Sequence, residues 1–116
     1  TEGAIAAFAS LCGPAGISRD DCLIVLGTMR ELGPEAARFH REVGHAASGV
    51  AATVIGTGEH GAELAPIHAA DVGALLSQIT AWADAHPRGA ILLKGSRGER
   101  LERVLEHLQR HLGGHT

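Results

Sequence analysis

Short runs of branched apolar residues alternate along the chain with stretches in which apolar residues recur every three or four positions. Three of these runs predict strands, at residues 22–26, 52–55 and 90–93. The first and the last are expected to be buried strands, as in a parallel sheet. Residues 67–69 predict, at most, a weak further strand. Because strands and helices alternate, we expect an α/β fold, a Rossmann-like three-layer domain with a mostly parallel sheet of about four to six strands.

The predicted helices begin and end at glycine, proline and capping residues. They run over residues 2–11, onward from Gly33, over residues 59–64, onward from a cap at Asp71, and onward from Ser96. Their predicted buried faces, in chain order and omitting the short third helix, are Ile5, Phe8 and Leu11; Ala36, Phe39, Val43 and Ala46; Val72, Leu75, Leu76, Ile79, Trp82 and Ala83; and Leu101, Val104, Leu105, Leu108 and Leu112.

The order of the strands predicts where a ligand binds. Right-handed crossovers place successive strands side by side. With a strand order of 3-2-1-4, the direction of the connections reverses between the first and the last strand, and ligands of such sheets bind there, beyond the carboxyl ends of the strands. Two polar, glycine-containing loops follow those strands, at residues 28–33 and 94–98, and each precedes a helix. These two loops are the predicted binding site.

The loop after the last predicted strand carries most of the candidate chemistry. Two cations, a hydroxyl and two glycines lie where free backbone N–H groups and the helix dipole favour a carboxylate or a phosphate. Ser96 and Glu99 also fit a capping box, which any helix start can use, but a capping box does not account for Lys94 or for the glycines. The predicted substrate-binding residues of this loop are Lys94, Gly95, Ser96, Arg97 and Gly98.

The loop after the first strand has two interpretations. It carries opposite charges at Arg30 and Glu31 and leads into a Gly-Pro helix start, which is typical of a solvated connection. Its position also makes it the other half of the binding site. On the second interpretation, its substrate-binding residues are Thr28, Arg30, Glu31, Leu32 and Gly33.

An alternative site follows the second strand. Gly56, Gly58 and Gly61 match the Gly-x-Gly-x-x-Gly pattern of dinucleotide-binding loops, with Asp71 further along the chain. The helix that follows is short, and Glu59 and His60 crowd a loop that should accept a pyrophosphate. A free-standing nucleotide-binding module that uses residues 56–61 is therefore the alternative function.

Composition and charge exclude several classes of protein. Hydrophobic residues make up 45% of the 116 residues, which excludes a mainly disordered chain. A net charge of −3 and an aromatic content of 3% argue against binding to nucleic acid. No apolar run approaches the roughly 20 residues of a membrane span, and the cysteines have no CxxC spacing, so we expect a cytoplasmic protein. Because the chain begins at Thr1 and enters a helical pattern at once, we expect it to be a piece of a longer protein.

No residue is predicted to be catalytic or to bind metal. His107, His111 and His115 are spaced four apart, but no cysteine or acidic residue accompanies them at a zinc-type spacing. His40 and His45 are expected to help pack the helix that follows the first loop. No pattern of nucleophile and base is present.

Two segments resemble a known family. Residues 25–35, VLGTMRELGPE, followed by HREVG at residues 40–44, and residues 93–98, LKGSRG, followed by Leu101 and Glu102, resemble the C-terminal domain of the Mur ligases. Within that family they are most similar to the MurF-type ligases, which add D-alanyl-D-alanine to UDP-N-acetylmuramoyl-tripeptide. The resemblance covers nearly the whole chain.

The resemblance implies one domain, residues 1–116, of an ATP-dependent amide ligase of peptidoglycan precursor synthesis. In the family, Mg-ATP phosphorylates the tripeptide carboxylate and the dipeptide amine attacks the acyl phosphate. A central domain holds most of the ATP and Mg²⁺ contacts, and the C-terminal domain closes as a lid that brings the dipeptide site. Carried over, residues 28–33 and 94–98 line that site, and the isolated domain is inactive because the N-terminal and central domains are absent.

Two positions depart from the family pattern. Thr28 stands where the family commonly has Asp, and Glu99 stands where it commonly has a hydrophobic residue. Thr28 leaves no acidic side chain for a contact at that position. A second alternative function is the lid of another ligase of the Mur superfamily with a different amine substrate.

Overall fold

The computed structural model describes residues 2–27, 33–58, 61–69 and 71–94, together with Glu106. Helices and strands alternate after a first helix, as predicted. The elements are α1 (Glu2–Cys12), β1 (Cys22–Gly27), α2 (Ala36–Val50), β2 (Thr53–Thr57), α3 (Gly61–Leu64), β3 (Ile67–Ala69), α4 (Val72–Ala85) and β4 (Ala90–Lys94), with short 3-10 turns at Arg19–Asp21 and Gly33–Glu35. The predicted last helix, with its apolar face from Leu101 to Leu112, lies almost entirely outside the described residues.

Within the described residues, four strands form one sheet in the order β3-β2-β1-β4, and every pair is parallel. The α/β class is thereby confirmed, and the strand order is the 3-2-1-4 arrangement on which the predicted binding site depends. The weak strand predicted at residues 67–69 is real, since Ile67 pairs with Ile55 and Ala69 with Thr57 at the edge of the sheet.

The centre of the sheet is β1, whose six residues are all buried. Ile24 and Leu26 point into an apolar cluster with α1 and α2, whereas Leu23 and Val25 point into a second cluster with α4. Alternate side chains of a strand point to opposite faces, so this continuous apolar run makes both layers of the core. Helices on both faces of the sheet give the three layers that the sequence predicted.

The edge strand β4 corrects one expectation. The run at residues 90–93 predicts a fully buried strand, but these residues are only partly buried, and Lys94 at the end of β4 is exposed. An edge strand has a neighbouring strand on one side only, so its side chains are less enclosed than those of β1.

The buried face of α1 is also not quite the predicted one. Ile5 and Phe8 are buried as expected, but Leu11 is 73% exposed, and Cys12 takes its place at 5%. With 3.6 residues per turn, a face that holds Ile5 and Phe8 returns at Cys12 rather than at Leu11.

The buried face of α2 is shifted in the same way. His40, Val43, Gly44 and Ala47 are buried, whereas the predicted Phe39 and Ala46 are only partly buried. The reason lies in α3, whose residue Leu64 packs so closely on α2 that a Cβ added at Gly44 would lie 2.0 Å from the Leu64 carbonyl oxygen. Packing against a second helix as well as the sheet widens the buried face to include Gly44.

The predicted cap of α4 is confirmed. Asp71 accepts a hydrogen bond from the Ala74 N–H at 2.8 Å. The predicted apolar face of this helix is confirmed at Leu75, Ile79 and Trp82, which are all buried. Within the described ranges, no helix has the length and apolar character that crossing a bilayer requires.

Candidate functional site

The register of the sheet brings the starts of the two predicted loops together. β1 ends at Gly27, and β4 ends at Lys94, which pairs with Leu26. Adjacent strands lie about 4.8 Å apart and rise about 3.3 Å per residue, so the α-carbons of Gly27 and Lys94 are separated by about 6 Å. The strands that precede the two predicted loops therefore end at neighbouring points of the carboxyl edge of the sheet, where the direction of the connections reverses.

Two of the predicted site residues lie within the described part of the chain. Lys94 is the last residue of β4 and is exposed, and Gly33 begins the 3-10 turn that leads into α2. The other predicted residues fall outside the described residues: Thr28, Arg30, Glu31, Leu32, Gly95, Ser96, Arg97 and Gly98. Their assignment stays a prediction.

Three residues of the segment HREVG, which is part of the family resemblance, belong to the core, whereas its Arg41 and Glu42 are exposed. His40 is fully buried, with its Nδ1 hydrogen-bonded to the Ala36 carbonyl, and Val43 and Gly44 are buried beside it. The packing role expected of His40 is therefore confirmed. The same expectation is wrong for His45, which is exposed on the outer side of α2.

The alternative glycine loop does not begin where a dinucleotide-binding loop would. Gly56 and Thr57 are still part of β2, and the first residue beyond the strand is Gly58, whose φ of +88° favours glycine. The helix that follows, Gly61–Leu64, has four residues. Glu59 and His60 lie outside the described residues, so the use of this loop for a nucleotide stays a prediction.

Thr57 is a polar residue of the carboxyl edge that the sequence did not single out. It pairs with Gly27 across β1 and β2, is buried, and donates a hydrogen bond through Oγ1 to the Ala69 carbonyl at 3.3 Å. A threonine in the middle of a glycine motif gave no signal of this role, because the hydrogen bond depends on β3 lying next to β2. It fixes the end of β2 beside the start of the first loop.

The outer side of α2 carries a charged groove lined by Arg38, Arg41, Glu42, His45 and Ala46. Arg38 pairs with Glu35 at 3.1 Å and with Glu42 at 3.9 Å, and all three side chains are mostly exposed. Exposed pairs of this kind contribute about 0–1 kcal/mol to stability. Since carboxylates accompany its cations, the groove lacks the concentrated positive charge of a strong anion site.

The cysteines lie away from the carboxyl edge. Cys22 is the first residue of β1, and burial, followed by a hydrogen bond with Cys12, raises the pKa of its thiol to about 11. A thiol in this state is mostly protonated at neutral pH and is a poor nucleophile. Within the described ranges, no three His, Cys, Asp or Glu side chains lie close enough to hold a metal ion. His107, His111 and His115 lie outside those ranges.

Comparison with known proteins gives one kind of match. No family model and no curated protein matches the sequence. Among solved structures, the chain is similar to a MurF ligase from Thermotoga maritima, determined in complex with ADP, with a TM-score of 0.68 and 22% sequence identity. The similarity covers 97% of this chain and 27% of the ligase chain, so this chain spans about a quarter of that protein's length. The predicted resemblance to a Mur ligase is therefore confirmed in the fold: the chain has the fold of a domain of a MurF ligase.

Proposed function

We propose that the chain is the C-terminal domain of a MurF-type ligase, which in the complete enzyme joins D-alanyl-D-alanine to UDP-N-acetylmuramoyl-tripeptide during peptidoglycan precursor synthesis. The similarity in fold over 97% of the chain supports the choice of family. The two sequence segments, residues 25–35 and 93–98, support the MurF type within it. The domain is then a cytoplasmic module that acts as a lid and has no activity by itself.

The observation that carries this proposal is the pairing of Leu26 with Lys94. The two segments that resemble the ligase family are far apart in the sequence, yet this pairing starts both loops within about 6 Å of each other. A site built from both loops is consistent with a parallel sheet, whose ligands bind beyond the carboxyl ends of the strands at the reversal point.

The chemistry proposed for this site is recognition of the carboxylate of the dipeptide. Lys94 is the only lysine of the sequence, and it is exposed at the carboxyl edge. Its ammonium group offers three N–H donors, which suit a terminal carboxylate. Arg97 and the backbone N–H groups of residues 95–98 are proposed to complete the contact, with residues 28–33 on the opposite side of the dipeptide.

ATP and Mg²⁺ are assigned to the other domains of the ligase. This assignment follows from the resemblance to the Mur ligases, in which a central domain holds most of the ATP and Mg²⁺ contacts. ATP, when bound, would supply the phosphoryl group that activates the tripeptide carboxylate. The part left to this chain is to hold the dipeptide and to exclude water from the activated carboxylate when the lid closes.

The test is the steady-state kinetics of the complete ligase with substitutions at Lys94. A hydrogen bond between charged groups contributes about 1.5–3 kcal/mol, so we expect Lys94→Ala to lower kcat/KM for the dipeptide by about 10- to 100-fold. Lys94→Arg should retain part of the activity. Arg88→Ala is the matched control, because Arg88 is an exposed cation in the turn before β4. It therefore lies at the amino end of that strand, away from the carboxyl edge. Unchanged kinetics in Lys94→Ala would remove Lys94 from the site.

The alternatives predict other outcomes. Efficient turnover of a different amine, with D-alanyl-D-alanine inactive, would identify another ligase of the Mur superfamily. Amide chemical shifts that move with NAD at Gly56, Gly58 and Gly61, and not with the dipeptide at Gly33, would favour the nucleotide-binding module.

A further inference from the structure

The outer side of α1 differs from the solvent side of the other long helix on the same face of the sheet. Its exposed residues are Gly3, Ala6, Ala7, Ser10 and Leu11, which together we call the α1 outer face. No charged residue occurs between Gly3 and Cys12, although charged residues make up 20% of the chain. The solvent side of α2, by contrast, carries Arg38, Arg41 and Glu42.

Leu11 is the residue that makes this face unusual. It is 73% exposed, and the other large hydrophobic residue that is exposed within the described ranges is Ile67, at 41%. A helix with apolar residues on all sides is normally covered on all sides. Here Ile5, Phe8 and Cys12 cover only the side toward the core.

We propose that the α1 outer face is a docking surface for another domain of the same polypeptide. This inference rests on the proposed function, in which the chain is one domain of a larger ligase. The matched ligase supports that choice of partner, because a chain like this one accounts for only 27% of its length. An uncharged face of alanine, serine and leucine fits an apolar protein surface that approaches the helix backbone closely, and it offers no charge for an ionic partner.

The experiment measures the accessibility of single cysteines in the full-length protein. Leu11→Cys and Ile67→Cys are made separately, and the rate of reaction with a maleimide under native conditions is divided by the rate in urea. The unsubstituted full-length protein, labelled under both conditions, gives the background rates to subtract, to which Cys12 and Cys22 add little under native conditions because both are buried. Both replaced side chains are exposed in this domain, so the substitutions should leave its core intact.

The two positions then rank in opposite orders under the two hypotheses. If the α1 outer face is free, Leu11→Cys reacts faster than Ile67→Cys, in line with their exposure. If another domain covers it, Leu11→Cys reacts at least about tenfold more slowly than Ile67→Cys. Rates are measured with and without ATP, and protection in either condition supports docking. Absence of protection in both conditions overturns it.

Ligase activity of the unsubstituted full-length protein, measured in parallel, separates this inference from the proposed function. If Leu11→Cys is protected but the full-length protein has no ligase activity, the docking surface is supported and the proposed ligase function is wrong. If the protein has ligase activity but Leu11→Cys is not protected, the proposed function is supported and the docking surface is wrong. A native polypeptide no longer than this chain overturns both.

Discussion

Gly44 gives the most direct test of the described packing. It lies in the middle of α2, and a Cβ added there would lie 2.0 Å from the carbonyl oxygen and 2.8 Å from the carbonyl carbon of Leu64. Both atoms belong to the backbone of α3, so no side-chain rotation can relieve the overlap. In Gly44→Ala, α2 and α3 must therefore move apart by about 1 Å.

The expected magnitude follows from two opposing effects. Overpacking of a close contact costs about 3 kcal/mol at the upper end of the usual range, which suits a clash with backbone. Replacing glycine by alanine inside a helix returns about 1 kcal/mol. The net loss of unfolding free energy is then about 2 kcal/mol, which for a domain of this size lowers Tm by about 8 °C.

Gly49 is the matched control in the same helix. A Cβ added at Gly49 meets nothing within 4 Å, so Gly49→Ala receives the gain in helix propensity without the clash. We expect it to raise the unfolding free energy by about 0.5–1 kcal/mol. The two variants thus change stability in opposite directions, although the chemical change is identical.

Urea unfolding followed by circular dichroism at the helix band measures both variants. The slopes with urea should match that of the parent chain, so that the midpoints report stability alone. If Gly44→Ala is as stable as Gly49→Ala, the close approach of α2 to Leu64 is wrong, and with it the explanation for the shifted buried face of α2.

Two further predictions concern the cap of α4 and a buried thiol. Asp71→Ala removes the acceptor for the Ala74 N–H and should cost about 1 kcal/mol in urea unfolding, whereas Asp71→Asn should cost little; equal losses would contradict the cap. Cys22 has a pKa raised from 9.0 to about 11 in the folded chain, chiefly by burial, so the unfolded chain releases this proton first. Its contribution to stability is therefore complete below about pH 9 and is lost as the pH rises toward about 11. Urea midpoints measured across that range should fall, and they should fall less in Cys22→Ala; parallel curves for the two proteins would refute the assignment.

Much of the fold could be predicted from local pattern. The runs of branched apolar residues placed β1, β2 and β4 to within one or two residues, because a strand buried on both faces needs an unbroken apolar run. The cap at Asp71 followed from an acidic residue directly before a helical pattern. The side-by-side placement of β1, β2 and β3 agrees with right-handed connections between successive strands, whereas the place of β4 beside β1 was a condition of the predicted site and not a result of the pattern.

One error was local: with 3.6 residues per turn, the apolar face of α1 that holds Ile5 and Phe8 includes Cys12 and not its neighbour Leu11. The other errors came from contacts between elements. From the sequence, Gly44 is an unfavourable residue inside a helix; only the contact with the Leu64 backbone shows why no side chain fits there. The partly buried β4 follows from its position at an edge, which depends on the whole sheet.

The candidate site divides in the same way. The sequence by itself supplied the residues proposed to carry its chemistry, the lysine, arginines and glycines of two loops, because charge and backbone freedom are properties of single residues. Only the tertiary structure decided that Gly27 and Lys94 end neighbouring strands, and that Thr57 secures the strand beside them. It also decided that His40, Val43 and Gly44 pack inside the domain. Those facts depend on strand pairing and helix packing between distant parts of the chain, which no local pattern of residues specifies.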